Sequence, residues 1–205
     1  MTDYNRKPIM TIALTVILVL VTFVLEKMGN TQSASFMLEH GAVFWEYIEE
    51  GEYYRLFTGM FLHFGVDHLV NNMAMLLILG FQLEQMLGHV KTGALFFICG
   101  LVGNICSVTY YAAVGEYAVC AGASGAIYGL MGALCVLLAT EQAYRTKDLP
   151  KRILLLLVLV VYSSVSQPEI DIAAHVGGLL CGFLLGGLFA LYKRHVQKKK
   201  NQIFY

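Results

Sequence analysis

The most informative shortage in this sequence is charge. Asp, Glu, Lys and Arg make up 14% of the 205 residues, whereas in a water-soluble domain about a quarter of the residues are charged. Disorder does not account for the shortage, because disordered chains are poor in apolar residues and here 58% of the residues are hydrophobic. The composition therefore excludes a soluble or disordered protein and indicates a membrane protein. The net charge is zero, so nothing predicts binding to nucleic acid.

Motifs for metal binding and redox chemistry are also absent. No pair of cysteines has the CxxC spacing of a zinc knuckle or a redox site, and the sequence has no HExxH motif. All the cysteines lie in apolar runs, where they are expected to pack as small buried side chains. We therefore expect no cofactor and no metal ion. The five cysteines are Cys99, Cys106, Cys120, Cys135 and Cys181.

Long apolar runs take the place of the missing charge. A transmembrane helix needs about 20 mostly apolar residues, with a range of about 17 to 25, and six stretches reach or approach that length. The three prolines lie outside these stretches, and no soluble domain or long linker separates them. The sequence predicts an all-α polytopic membrane protein, with residues 1–205 forming a single six-helix domain. The predicted spans are 9–25, 67–87, 92–114, 119–140, 153–165 and 170–192.

The distribution of Lys and Arg predicts that both termini are cytoplasmic. With that orientation, twelve of the 14 basic residues lie in inner segments, and only Lys27 and Arg55 lie in outer ones. A cleaved signal peptide is the alternative for the first span, with Arg6 and Lys7 before it and small residues at 33–35 after it. Because the apolar run is long for a signal peptide, we expect a true span.

The first outer loop mixes aromatic rings with charge. This pattern is typical of a segment at the membrane interface, and we expect the loop to lie partly sunk in the outer leaflet. The residues concerned are Phe44, Trp45, Glu46, Tyr47, Glu49, Glu50, Glu52, Tyr53, Tyr54, Arg55 and Phe57.

Four polar residues within the spans are candidates for a functional site. His68 and Asn72 lie in the second span, Ser124 in the fourth and His175 in the sixth. Polar groups within a membrane are energetically costly and usually have a function. With the N-terminus inside, all three spans start on the outer side, so the four residues share one depth just below the outer surface.

Ser124 and His175 are the candidate catalytic pair. Ser124 lies between glycines at the start of its span, and a neutral imidazole is a suitable general base for a serine nucleophile. Small residues at four-residue spacing form a ridge on each of the two spans, so the helices are expected to approach closely. The ridges are Gly125, Gly129 and Ala133 on the fourth span, and Ala174, Gly178, Gly182 and Gly186 on the sixth.

Three further residues have expected roles around this pair. His68 and Asn72 are four residues apart, hence on one face of a helix, and both can donate a hydrogen bond to a developing oxyanion. Tyr128 lies one turn below Ser124 and is expected to stack on the imidazole. Asp171 lies four residues before His175, and we interpret it as a solvated loop acid rather than a member of a triad.

Several segments together resemble the rhomboid family of intramembrane proteases. The segments are Tyr54-Arg55-Leu56-Phe57-Thr58, Phe61-Leu62-His63, His68-Leu69, Asn72-Met73, Gly122-Ala123-Ser124-Gly125 with Tyr128 and Gly129, and Ala174-His175-Val176-Gly177-Gly178. They occur in the family's order and cover nearly the whole chain, from the first loop to the sixth span. The chain departs from the family at Tyr54, which replaces the tryptophan of a Trp-Arg pair.

The resemblance implies a function. It implies a serine endopeptidase with Ser124 as nucleophile, His175 as general base, and His68 and Asn72 as oxyanion donors. Gly122 is then expected close to the scissile bond, and His63 is expected to have a structural role. Expected partners are single-span membrane protein substrates and the lipid bilayer of a prokaryotic plasma membrane, with the glycine-free fifth span as a lateral gate.

Three alternatives to this interpretation remain open. The first is an inactive relative that binds client helices without cutting them, although the four polar residues are intact. The second is a transporter or channel, which would usually show helix breaks at mid-bilayer. The third is a metalloprotease, for which no acidic ligand lies deep within a span.

Overall fold

Helices account for nearly all the regular structure in the described part of the chain. The computed structural model describes residues 7–140 and 170–203, together with positions 148, 151, 155 and 158. In chain order the elements are α1 (Ile9–Met28), α2 (Ala34–Glu39), α3 (Trp45–Glu49), α4 (Arg55–Thr58), a 3-10 turn (Gly59–Phe61), α5 (Gly65–Leu87), α6 (His89–Val114), α7 (Ser124–Thr140) and α8 (Ile172–Ile203).

The long helices confirm a helical membrane bundle. Helices α1, α5 and α6 and the segment Ile172–Val196 of α8 are long and apolar enough to cross a bilayer, and α7 is a shorter apolar helix. Five of the six predicted spans therefore fall on helices, with ends that differ by a few residues at most positions. Helix α8 continues to Ile203, eleven residues beyond the predicted end. The predicted fifth span and its role as a gate lie, apart from isolated positions, outside the described residues.

The predicted start of the fourth span is wrong by five residues. Helix α7 begins at Ser124, and the apolar residues before it are extended. Cys120 exchanges two backbone hydrogen bonds with Val43, with N···O distances of 2.8 and 2.9 Å, and the Gly122 N–H donates to the Gly59 carbonyl at 2.9 Å. Because these amide groups already have partners in the first loop, they do not join the helix.

Helices α7 and α8 pack through the two predicted ridges of small residues. A Cβ atom added at Gly178 would overlap the carbonyl of Gly125, and one added at Gly182 would overlap the carbonyl of Gly129. Without a hydrophobic effect between helices in lipid, such close contact between backbones is what holds transmembrane helices together. The ridge packing predicted from the sequence is confirmed.

The first loop is anchored by Arg55, of which 6% is exposed. Its Nη1 donates to the carbonyls of Leu38 and Ala42, at 2.6 and 3.1 Å, and its Nε donates to Glu52 Oε2 at 2.6 Å. The Tyr54 hydroxyl donates to the same Glu52 oxygen at 2.8 Å. Tyr54 and Arg55 thus share one carboxylate oxygen of Glu52.

The start of α1 is held by a carboxylate from another helix. Glu84 of α5 is fully buried and accepts hydrogen bonds from the backbone N–H groups of Met10 and Thr11, at 2.7 and 2.8 Å, and from the Thr11 hydroxyl at 2.6 Å. It also contacts His89 Nδ1. A negative charge at a helix N-terminus satisfies free N–H groups and interacts favourably with the helix dipole. Glu84 therefore fixes α1 against α5.

Candidate active site

Ser124 lies at the N-terminal end of a helix. It is the first residue of α7 and is half-buried. The first N–H groups of a helix have no acceptor within that helix, so the Ser124 N–H is oriented out of the first turn. The extended segment before it places Gly122 with a φ of +136°, a conformation that side chains rarely adopt. The serine therefore lies at a sharp junction between extended chain and helix.

His175 contacts Ser124 directly. It is the fourth residue of α8, and its Nε2 lies 2.8 Å from the Ser124 Oγ. This is the contact expected from the two ridges, whose small residues pack against each other in the turns that follow. In the tautomer that leaves Nε2 unprotonated, the hydroxyl donates to the imidazole, as a general base requires.

Tyr128 lies against the face of the His175 imidazole. Its ring is stacked on the His175 imidazole with centroids 4.1 Å apart and an interplanar angle of 11°. Tyr128 is almost fully buried, so its own packing limits rotation of the imidazole. The structure thus places Tyr128 where the sequence analysis expects it.

His68 lies beside the segment that leads into Ser124. A Cβ atom added at Gly122 would come within 2.9 Å of His68 Cε1 and 3.0 Å of His68 Nε2. The glycine therefore leaves room for the imidazole, which stands next to the backbone two residues before the serine. His63 meets the His68 ring edge to face, with centroids 5.2 Å apart.

Asn72 shares the His68 face of α5 but bonds along its own helix. Its Nδ2 donates to the His68 carbonyl at 3.0 Å, and the side chain is buried. The structure thus brings together Ser124, His175, Tyr128, His68 and Gly122, and connects Asn72 to this group through His68.

His63 lies behind the site. It is 1% exposed, and its Nδ1 is 3.5 Å from the Thr22 hydroxyl of α1. Burial lowers the pKa of His63 to about 3, so its imidazole is neutral at physiological pH. The contacts are those of a structural residue between α1 and His68.

The interpretation of Asp171 as a solvated loop acid is wrong. Asp171 is half-buried; its Oδ2 accepts a hydrogen bond from the Ser107 hydroxyl at 2.5 Å, and its Oδ1 accepts one from the Ala174 N–H at 2.9 Å. The carboxylate thus caps α8. The sequence analysis missed Ser107, although a polar residue in the third span is a signal of the kind it used for Ser124.

Among the described residues, no three His, Cys, Asp or Glu side chains converge in a way that could hold a metal ion. The side chains described around Ser124 are the imidazoles of His175 and His68 and the ring of Tyr128. This arrangement fits acyl transfer by a nucleophile and a base.

Comparison with known proteins identifies a family. Residues 50–192 match the model of the Rhomboid domain. The chain is 38% identical over 156 residues to RHOMBOID-like protein 6, mitochondrial, of Arabidopsis thaliana, covering 75% of this chain and 50% of that protein. It is 35% identical over 173 residues to RHOMBOID-like protein 7 of the same plant, covering 83% and 54%.

A bacterial protein is also similar. The chain is 29% identical over 189 residues to Rhomboid protease GluP of Bacillus subtilis (strain 168), covering 92% of this chain and 36% of that protein. The chain spans about half the length of the plant relatives and about a third of the bacterial one.

Proposed function

Because the chain belongs to the rhomboid family, we propose that this multi-pass membrane protein is a serine endopeptidase that cleaves other membrane proteins within the bilayer. The observation that carries the proposal is the 2.8 Å contact between His175 Nε2 and Ser124 Oγ. A serine hydroxyl is a weak nucleophile unless an adjacent base accepts its proton, and this contact provides that base.

The reaction proceeds by two acyl transfers. His175 Nε2 takes the Ser124 proton while the Oγ attacks the scissile carbonyl carbon. The imidazolium then gives its proton to the leaving amine, which releases one product and leaves an ester on Ser124. Water attacks this ester, His175 takes the water's proton, and the proton returns to Ser124 as the second product leaves.

The negative charge that develops on the carbonyl oxygen needs hydrogen-bond donors. The Ser124 N–H at the start of α7 is one, since helix N-termini favour negative charge. His68, beside Gly122, is the second, and Asn72 supplies the third once its amide turns from the His68 carbonyl. Removing one such donor typically lowers the rate by about 10²–10³.

The substrate class follows from the depth of the site. A transmembrane helix hides its backbone carbonyls in internal hydrogen bonds, so a substrate helix must unwind before Ser124 can attack it. Glycine weakens a helix by about 1 kcal/mol relative to alanine. The proposed substrates are therefore single-span proteins with glycine or other small residues near the outer end of the span.

The proposed location is the plasma membrane of a prokaryote, with both termini in the cytoplasm. The basic residues at the end of α8, from Lys193 to Lys200, support this orientation. The site then opens toward the outer face, from which water reaches the acyl-enzyme.

The proposal is tested with the purified protein reconstituted in liposomes together with a tagged single-span substrate. We expect the wild type to cleave the substrate, Ser124→Ala and His175→Ala to lose at least about 10³-fold in rate, and a chelator to have no effect. Cleavage by Ser124→Ala would contradict the serine mechanism. A wild type that binds substrates with glycine-rich spans but cuts none of them would identify an inactive relative.

A further inference from the structure

The N-terminus of α8 is attached to α6 by Asp171. One oxygen of this carboxylate accepts the Ala174 N–H at 2.9 Å, and the other accepts the Ser107 hydroxyl at 2.5 Å. Ser107, in α6, is fully buried. Asp171 therefore links the first turn of the helix that carries His175 to the interior of a neighbouring helix.

The first turn of α8 packs against a glycine of α6 and a glycine of α7. A Cβ atom added at Gly103 of α6 would lie 2.8 Å from the Ala174 carbonyl oxygen, and one added at Gly125 of α7 would lie 3.3 Å from it. Ala174 precedes His175, and Gly125 follows Ser124. A small shift of this turn would therefore change the 2.8 Å distance between the His175 Nε2 and the Ser124 Oγ.

Ser107 also contacts the segment on the serine side. Its hydroxyl lies 3.5 Å from Cys120 Sγ, and Cys120 is paired through its backbone with Val43 of the first loop. Cys120 lies four residues before Ser124. The buried Ser107 hydroxyl thus contacts both Asp171, which caps α8, and Cys120, which lies in the extended segment before Ser124.

We propose that Asp171 and Ser107 form a tether that positions His175 against Ser124. Asp171 is a positioning residue, which acts through the first turn of α8 and does not touch the imidazole. This inference rests on the proposed protease function, because it assigns the tether a role in catalysis by that same pair.

The geometry distinguishes a tether from the acid of a triad. In a triad the carboxylate accepts a hydrogen bond from the imidazole itself and stabilises its positive charge. Here both carboxylate oxygens accept hydrogen bonds from other groups, Ser107 and Ala174. A tether needs hydrogen bonds at this position but not a negative charge. Asparagine provides them, since its oxygen can accept the Ala174 N–H while its amide donates to the Ser107 oxygen.

The test compares Asp171→Ala with Asp171→Asn. We expect Asp171→Ala to lower kcat about tenfold to a hundredfold with KM nearly unchanged, because misplacement of a catalytic group by about 1 Å costs up to about 10²-fold. Asp171→Asn should stay within about threefold of the wild type. The matched control is Glu116→Ala, which removes an exposed acid at the same end of the molecule and should leave kcat unchanged.

Ser107→Ala tests the other half of the tether and gives a second measurement if Asp171→Ala folds poorly. We expect Ser107→Ala to lower kcat about threefold to tenfold, and to cause no further loss when it is combined with Asp171→Ala, because the two changes remove one shared link. Labelling of Ser124 by a fluorophosphonate should fall in parallel, since it reports on the pair without a peptide substrate.

Three results would overturn the tether without affecting the protease proposal. Equal losses in Asp171→Asn and Asp171→Ala would show that the charge is what matters. A wild-type kcat in both Asp171→Ala and Ser107→Ala would show that the link has no role in positioning. Independent, multiplying losses in the double variant would show two separate effects. If wild type and Ser124→Ala are equally active or equally inactive, the protease proposal itself has failed, and that outcome also removes the tether's role.

Discussion

At the residue scale, the site depends on a backbone conformation that only glycine adopts easily. Gly122 has a φ of +136° and its N–H is bonded to Gly59. The His68 imidazole lies within 3.0 Å of the position that a Cβ atom would take. One position thus fixes the turn before Ser124 and makes room for a proposed oxyanion donor. The absence of a side chain at Gly122 is therefore as important as the side chains around it.

Gly122→Ala should reduce activity more than it reduces stability. The added Cβ would meet His68 at 2.9 and 3.0 Å, and backbone strain of this kind costs about 1–3 kcal/mol. We expect the rate of fluorophosphonate labelling at Ser124 to fall at least about tenfold, measured together with thermal unfolding in detergent.

Gly115→Ala is the matched control for that change. Gly115 also has a positive φ, +71°, but nothing lies within 4 Å of the position its Cβ would take. It should show backbone strain alone and label at nearly the wild-type rate. Equal loss of labelling in both variants would contradict a specific role for the space beside His68.

At the element scale, α7 and α8 carry the two proposed catalytic groups and are held together by backbone contact. Gly178 and Gly182 of α8 lie against the carbonyls of Gly125 and Gly129 of α7. Contacts of this kind leave no room for adjustment, since no flexible side chain lies between the helices. The spacing of Ser124 and His175 is therefore set along the whole length of the ridges, and not only at their upper end.

Gly182→Ala should separate the two helices and weaken the site two turns above. The added methyl group would overlap the Gly129 carbonyl, so α8 must move. We expect activity to fall at least about tenfold and the thermal unfolding temperature to fall with it.

Gly187→Ala provides the comparison on the same helix. Nothing lies within 4 Å of a Cβ added at Gly187, and alanine is the better helix former, so activity and unfolding temperature should match or exceed those of the wild type. The same loss in both variants would mean that the ridge contacts do not determine the geometry of the site.

At the scale of the whole molecule, the distribution of charge predicts the side of the membrane on which the proposed cleavage occurs. Basic residues concentrate at the far end of α8, while Ser124 and His175 lie in the first turns of α7 and α8. The site and the basic cluster are therefore at opposite ends of the bundle. In the proposed orientation the basic end is cytoplasmic, and cleavage is expected near the outer face.

Topology reporters check this orientation. A fluorescent protein that folds only in the cytoplasm should be bright when fused after Ile203, and alkaline phosphatase, active only outside, should be inactive there. The pattern should reverse for fusions after Glu116, in the segment between α6 and α7. A bright fluorescent fusion after Glu116 would mean that the chain is inserted the other way round.

The family, the membrane helices and the positions that meet in the candidate site could be predicted largely from the sequence. Apolar runs mark helices because lipid cannot satisfy a free backbone amide, and Ser124 and His175 stand out because polar groups are costly in a membrane. The small-residue ridges then indicated which helices approach each other. These signals are local in the sequence, and so a reading of the sequence alone finds them.

Three features could be known only from the tertiary structure: the extended segment before Ser124, the bonds of Asp171 and the contact of Gly122 with His68. Residues 119–123 are apolar and resemble part of a span. However, the N–H groups of Cys120 and Gly122 donate to the carbonyls of Val43 and Gly59, which lie more than sixty residues away in the chain. Asp171 looks like a loop acid because its partner Ser107 is likewise distant in the chain. The sequence by itself determined which groups lie in the membrane, because burial in lipid restricts every residue separately. Only the folded chain decided how those groups meet, because hydrogen bonds between distant segments leave no periodic pattern in the sequence.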